Sequence, residues 1–199
     1  MSDHYFSQSP QSNSSPKIWQ YRLRGKNLTF ESDDGVFSKN EVDYGTRFLI
    51  EHFEEPSISG PFLDFGCGYG PIGIAVAKSF QQRNVVMTDI NERAVELARK
   101  NAQHNKVENV EFAVSDRLDN VNGHSFAAIM TNPPIRAGKQ TVHRMFEESY
   151  EVLQEKGLLW VVIQKKQGAP SAMKKLNELF GNVKVVDRSK GYYLLKMMK

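Results

Sequence analysis

From Phe62 to Met197 the chain alternates short apolar runs with longer segments whose apolar residues recur at helical spacing, and few architectures accommodate that order. The runs Phe62 to Phe65, Val85 to Thr88, Val110 to Val114, Phe126 to Thr131 and Leu158 to Gln164 predict strands. A helix from Pro71 and helices over Glu92 to His104, Gln140 to Gln154 and Ser171 to Phe180 are predicted among them. Strands separated by helices return in parallel, so the expected fold is α/β with a doubly wound, mostly parallel sheet. Two last runs, Val183 to Asp187 and Tyr192 to Met197, are separated only by Arg188 to Gly191, too few residues for a crossover helix. They should close the sheet as an antiparallel hairpin. Ahead of the sheet, Lys17 to Arg24 alternates apolar and polar residues and, with Leu28 to Phe30 beyond Gly25, reads as a further hairpin. Thr46 to Phe53 predicts a helix capped near Gly45-Thr46 and ended by the prolines at 56 and 61.

A length of 199 residues suits one domain, here 17–199. Residues 1–16 are mostly Ser, Gln, Asn and Pro, too poor in apolar material to offset ordering entropy, and are expected to form a flexible arm. No stretch approaches the roughly 20 apolar residues of a membrane helix, and Met1-Ser-Asp-His-Tyr lacks the order of a secretory signal, so a cytoplasmic protein is expected. One cysteine, Cys67, rules out an internal disulfide framework and a thiolate-rich zinc site, and the histidines show no ligand spacing; no metal is expected. A net charge of +3 does not by itself identify a nucleic-acid partner.

The chemistry is concentrated in two loops. Asp64-Phe-Gly66-Cys67-Gly68-Tyr-Gly70-Pro71 joins a strand to a helix at the carboxyl end of the first central strand, where open α/β sheets bind ligands. Its glycines let backbone approach a ligand that side chains would exclude. Gly68-x-Gly70-x-x-Gly73 matches the dinucleotide fingerprint in letters, and Asp89 follows about 20 residues on, the ribose spacing for a nicotinamide cofactor. The register is wrong for that ligand: Gly66, not Gly68, follows the strand directly, and position 71 is proline. A carboxylate at Asp64 is costly to bury unpaired and favours a cationic, donor-rich ligand. S-adenosylmethionine carries an ammonium and a sulfonium and no phosphate. Asp89, with Ile90 beside it, ends the second strand and can accept from ribose hydroxyls; Asp116 follows the third and can accept from an adenine amine.

The second loop, Thr131-Asn132-Pro133-Pro134-Ile135, ends the fourth strand, expected to lie beside the first. An exocyclic amine on a base, or an amide nitrogen, is a poor nucleophile because its lone pair is delocalised. The Asn132 side-chain oxygen and the Pro133 carbonyl can each accept one N–H, leaving the lone pair aimed at a methyl carbon, and two prolines set that backbone in advance. Arg136 and Lys139 follow this strand and Lys165 and Lys166 the next, so all four are expected on the edge where RNA phosphates would pass.

Together the 64–70 loop, Asp89, Asp116 and Asn132 to Ile135 resemble the class I S-adenosylmethionine-dependent methyltransferases that act on amino nitrogens. The wider chain, through His4-Tyr-Phe-Ser7, Gly35-Val-Phe-Ser38, Asp43-Tyr-Gly-Thr46, Asn132 to Gly138 and Gln164 to Pro170, is similar to the 16S ribosomal RNA guanine-N2 methyltransferases of the C type, the methyltransferase small domain. The resemblance implies a Rossmann-like seven-stranded sheet and S-adenosylmethionine bound by Asp64, Gly66, Cys67, Gly68, Gly70, Asp89, Ile90, Asp116 and Asn132. It implies catalysis by Asn132, Pro133, Pro134 and Ile135, and an RNA substrate, free or in the small ribosomal subunit, met by Phe37, Arg136, Lys139, Lys165 and Lys166. Phe37 and the Asp43 to Thr46 turn would flank the methionyl end and the mouth of the site. Ile135 departs from the family's frequent aromatic there and offers the base apolar contact only. An adenine amine or a protein glutamine would suit the same Asn-Pro-Pro chemistry.

Overall fold

The computed structural model describes residues 15–33, 41–119 and 123–199; most of the expected arm and Phe37 lie outside them. The antiparallel hairpin β1 (Lys17–Leu23) and β2 (Lys26–Ser32) precedes α1 (Tyr44–His52). Then follow β3 (Phe62–Phe65), α2 (Pro71–Ser79), β4 (Val85–Asp89), α3 (Glu92–His104), β5 (Val110–Val114) and β6 (Phe126–Thr131). The chain ends with α4 (Lys139–Val152), β7 (Leu153–Gln164), α5 (Ala169–Phe180), β8 (Lys184–Ser189) and β9 (Tyr192–Met198). Short 3-10 turns, Ile135–Ala137 and Lys165–Gln167, follow β6 and β7.

Seven strands form one sheet in the order β5-β4-β3-β6-β7-β9-β8. Strands β3 to β7 pair in parallel, β9 runs antiparallel to β7, and β8 antiparallel to β9. Strand order reverses between β3 and β6, so the loops leaving those two strands open a crevice at their carboxyl ends. The Thr131 hydroxyl donates to the Phe65 carbonyl at 2.8 Å and ties the two strand ends together there.

Strand alternation divides the core into two layers. Phe62, Val85, Met87, Met130, Trp160 and Val162 pack with α1, α2 and α3; Leu63, Phe65, Ile129, Val161 and Ile163 pack with α4 and α5. Both faces are covered, which is why these strands are mostly apolar, with polar residues near their carboxyl ends.

The hairpin is held on the first layer by an arrangement of two amides. Asn101 and Asn105, one helical turn apart on α3, each pair with a residue of β2, accepting from the N–H and donating to the C=O of Glu31 and Thr29 respectively. Four residues of helix rise about 6 Å and two of strand about 6.6 Å, so the two spacings match. Trp19, expected to pack rather than to bind, lies against Tyr21, Phe30 and Tyr69 and donates to Ser32 Oγ at 3.1 Å.

Several element ends differ from expectation by one or two residues, and the largest difference lies between α4 and β7. Helix α4 stops at Val152, and Leu153, expected as helix, opens β7 by pairing with Phe126. Leu153 is buried in the second layer, a position its apolar side chain fits from either conformation, and the left-handed Lys156 (φ 65) absorbs the irregularity that follows. No described helix is long and apolar enough to cross a membrane.

Candidate active site

A cavity opens at the crevice, lined by residues from several segments of the chain. The glycine loop gives Gly66, Cys67, Gly68, Tyr69 and Pro71; the end of β4 gives Thr88, Asp89 and Ile90; and Ser115, Asp116 and Arg117 follow β5. Asn132, Pro133 and Pro134 follow β6, and Asp43 and Thr46 lie at the start of α1.

The loop is held by backbone as well as by side chains. Gly66 and Cys67 both donate to the Thr88 carbonyl, at 2.9 and 2.8 Å. Gly68 is left-handed (φ +56), and a Cβ built on it would meet nothing within 4 Å, so the glycine leaves open space on the cavity side. Gly73 does a different job: a Cβ there would stand 2.2 Å from Met87 Sδ, so only glycine lets α2 lie this close to β4. Gly70 also packs, against Ile74 and Ala98, and does not line the cavity.

Each oxygen of Asp89 accepts one backbone N–H, Oδ2 from Gly68 and Oδ1 from Asn91, both at 2.9 Å. The Ile90 N–H also lies against this carboxylate, which with four lone-pair sites still keeps acceptor capacity. Burial raises the pKa of Asp89, as it does that of Asp43. Among the described residues neither carboxyl has an ion-pair partner. The one cation among the described lining residues, Arg117, is drawn to Asp116, Asp119 and Glu148. The uncompensated charge of the cavity is therefore negative, which suits a cationic ligand and opposes a pyrophosphate. Thr88 Oγ1 is buried at the wall without a hydrogen-bond partner, and Cys67, whose thiol burial pushes up, fills space beside it.

Asp64 lies behind the wall. Being even-numbered with Phe62, it faces α2, where Oδ2 accepts from the Gly73 N–H at 2.8 Å, and its surface is wholly buried. Oδ1 has no hydrogen-bond partner, and burial, with Asp89 nearby, pushes its pKa up to about 7. A direct contact between Asp64 and a ligand in the cavity is not what this geometry offers.

Asn132 is oriented by its neighbours. Its amide nitrogen donates to Thr46 Oγ1 at 3.0 Å and to Asp43 Oδ1 at 3.4 Å, while Asp43, the N-cap of α1, also accepts from the Thr46 N–H. The amide NH2 is thus occupied and its oxygen is the free end. Pro134 and Ile135 carbonyls accept from Ala137 and Gly138, but neither Asn132 Oδ1 nor the Pro133 carbonyl accepts a hydrogen bond from any described residue. Two uncommitted oxygens from adjacent residues are left at the cavity.

Ile135, Arg136, Lys165 and Lys166 do not line the cavity; they lie beyond it on the same sheet edge. Lys139 lines an adjoining, more polar groove with Gln140, His143 and Arg144, which shares Asp116, Arg117 and Thr141 with the cavity. Sequence reasoning did not single out Tyr69, Thr88, Ser115 or Arg117 as site residues. A residue next to a loop glycine or at a strand end was the available signal. Among the described residues no cluster of His, Cys, Asp or Glu is placed to hold a metal ion.

Residues 27–196 match a family model described as the methyltransferase small domain. The chain is 56% identical over its whole length to YbxB, an uncharacterised protein of Bacillus subtilis, whose whole length it also covers. It is 32% identical to ribosomal RNA large subunit methyltransferase G of Streptomyces avermitilis, over 92% of this chain and 50% of that protein. Among solved structures, the T. thermophilus 16S rRNA N2 methyltransferase RsmC, in complex with AdoMet and guanosine, superposes with a TM-score of 0.82 at 23% identity, over 96% of this chain and 52% of that one. The chain thus spans about half the length of these two named methyltransferases.

Proposed function

Given that this chain belongs to the methyltransferase small domain family, which uses S-adenosylmethionine, we propose that it transfers a methyl group to an exocyclic amine of RNA, guanine N2 of small-subunit ribosomal RNA. The observation that carries this reading is the pair of free oxygens, Asn132 Oδ1 and the Pro133 carbonyl, at a cavity whose unpaired charge is negative. Two related methyltransferases are named for ribosomal RNA, and the solved one carries guanosine, which supports RNA as substrate and guanine as base.

The donor would be held by residues that fit it. Asp89 keeps acceptor capacity for a ribose hydroxyl, Gly66 and Gly68 leave room for the donor against the backbone, and Asp116 stands at the far wall for the adenine amine. Asp64 would act through α2 and the loop rather than by touching it. When bound, S-adenosylmethionine supplies a sulfonium-activated methyl carbon.

The remaining work belongs to the chain. Asn132 Oδ1 and the Pro133 carbonyl each accept one N–H of the substrate amine, which turns its lone pair out of conjugation. The same two oxygens stabilise the positive charge that grows on nitrogen. Asp43 and Thr46 hold the Asn132 amide by its NH2, so its oxygen cannot rotate away. Pro133 and Pro134 fix the backbone that carries the second acceptor. Ile135 is placed to give apolar contact to the base, and Arg136, Lys139, Lys165 and Lys166 to meet phosphates.

Asn132→Ala should reduce transfer from labelled S-adenosylmethionine to undermethylated small ribosomal subunits by a factor of at least about 100, the usual cost of losing one such acceptor. Its affinity for the donor, read by calorimetry, should change little. Undiminished transfer by the variant would refute the role given to Asn132, and label found on adenine or on protein would refute the choice of guanine.

A further inference from the structure

Two turns of this protein are built alike and used differently. The β1–β2 turn is Arg24-Gly25 and the β8–β9 turn is Lys190-Gly191, and all four residues have positive φ (47 and 74, 47 and 80). That conformation is tolerated by asparagine and glycine and disfavoured for a long side chain. Arg24 is consumed inside the fold, its guanidinium donating to the carbonyls of Ile50 and Phe53 at the end of α1. Lys190 has no oxygen partner among the described residues. Its ammonium lies 4.7 Å from the centroid of the Tyr44 ring, which Arg47 also approaches at 5.2 Å.

The surroundings fix this charge in place. Tyr44 is stacked on Phe48, packed against Tyr192, and donates its hydroxyl to Ser189 Oγ at 2.7 Å. The Arg188 guanidinium lies over the Tyr193 ring at 4.7 Å and has no carboxylate partner among the described residues. The neighbouring acid, Asp187, is turned to His52. Lys165 donates its backbone N–H to the Gly191 carbonyl, which places Lys165 and Lys166 beside the turn. On the other side Tyr44 adjoins Asp43, the residue that holds Asn132. An exposed set of cations without ion-pair partners among the described residues, two of them over aromatic rings, thus gathers at this end of the sheet, on the edge to which the cavity opens.

We propose that the β8–β9 turn, through Arg188 and Lys190 together with Lys165 and Lys166, is a docking surface for the phosphate backbone of single-stranded RNA leading into the cavity. This rests on reading the substrate as RNA. A base amine is reachable only when the base is out of a duplex, so the strand beside it is single-stranded. Four cations carried on short turns follow such a strand without reading its sequence.

The test is binding of a fluorescently labelled single-stranded RNA oligonucleotide of mixed sequence, by anisotropy, as a function of salt. Lys190→Asn keeps a residue suited to the left-handed turn, and Arg188→Gln keeps a long polar side chain, so the double variant should fold. Each lost phosphate contact lowers the slope of log K against log salt by about 0.7 for single strands, so the double variant should lose about 1.4. Lys156→Asn, the loss of one charge at another left-handed residue on the opposite sheet edge, should leave the slope unchanged. An unchanged slope in the double variant, or a loss of about 0.7 in Lys156→Asn, overturns the proposal. So does polyglutamate displacing the RNA from the wild type more tightly than unlabelled RNA does, since the surface would then fit an acidic protein. Because no methyl transfer is read, an inactive protein that binds RNA in this way would sink the methyltransferase reading and leave the surface standing.

Discussion

Asp64 shows what a single buried carboxyl costs a fold and what it does in return. The folded value of about 7 against the ordinary 3.8 means the folded chain holds a proton that the unfolded chain releases. Between those values the unfolded state binds fewer protons, so stability falls as pH rises through the interval and levels off above it. The difference corresponds to an order of magnitude of 4 kcal/mol. Asp64→Asn keeps an oxygen for the Gly73 N–H and cannot ionise. In urea titrations without donor, its stability relative to wild type should improve from pH 3.8 to about 7 and then stay constant. A constant difference over that interval would show that Asp64 ionises normally. From the sequence this residue is legible as a carboxylate that needs a partner. That the partner is a helix N–H, and that the side chain faces away from the cavity, follows from the alternation of β3 once α2 is laid on that face.

At the level of elements, the hairpin is tied to the sheet through α3. Asn101 carries three of the contacts, accepting from Glu31 and donating to the carbonyls of Glu31 and Tyr69. Asn101→Ala leaves those groups without their partner and should cost about 1–3 kcal/mol. Hydrogen exchange should quicken across β1 and β2 and in the glycine loop, while β3 and β6 stay protected; uniform quickening would show that the hairpin does not open separately. Gly73→Ala tests the other contact, between α2 and β4: its methyl would overlap Met87, and overpacking of this kind costs about 1–3 kcal/mol, seen as a lower midpoint of thermal unfolding. Helix α3 is legible from apolar spacing alone, with the same ends in sequence and structure. The α4–β7 boundary is not, because Leu153 continues the helical apolar pattern and also suits a strand. Only its pairing with Phe126 settles the conformation.

Over the whole molecule the strand order separates charge along one sheet edge. Asp64, Asp89 and Asp116 belong to the ends of β3, β4 and β5, whereas Arg136, Lys139, Lys165, Lys166 and Lys190 follow β6 and β7 or turn between β8 and β9. On the proposed reading, a cationic donor and a polyanionic substrate would thereby be drawn to opposite sides of Asn132. Donor affinity should respond weakly to salt and RNA affinity strongly. Replacing Arg136, Lys139, Lys165 and Lys166 together by glutamine should lower the RNA salt slope by up to about 2.8, at 0.7 per contact, with calorimetric donor affinity retained; loss of donor affinity instead would place these cations in the donor site. The linear chain by itself determined the element types, their parallel return and the two loops that carry polar chemistry, because apolar period and turn composition act over a few residues. The association of Asp43 with Asn132, the turning of Asp64 toward α2 and the placement of Lys190 over Tyr44 were decided only by tertiary structure. Each joins segments far apart in the chain, and local preference has no term for a contact that exists only after the sheet has closed.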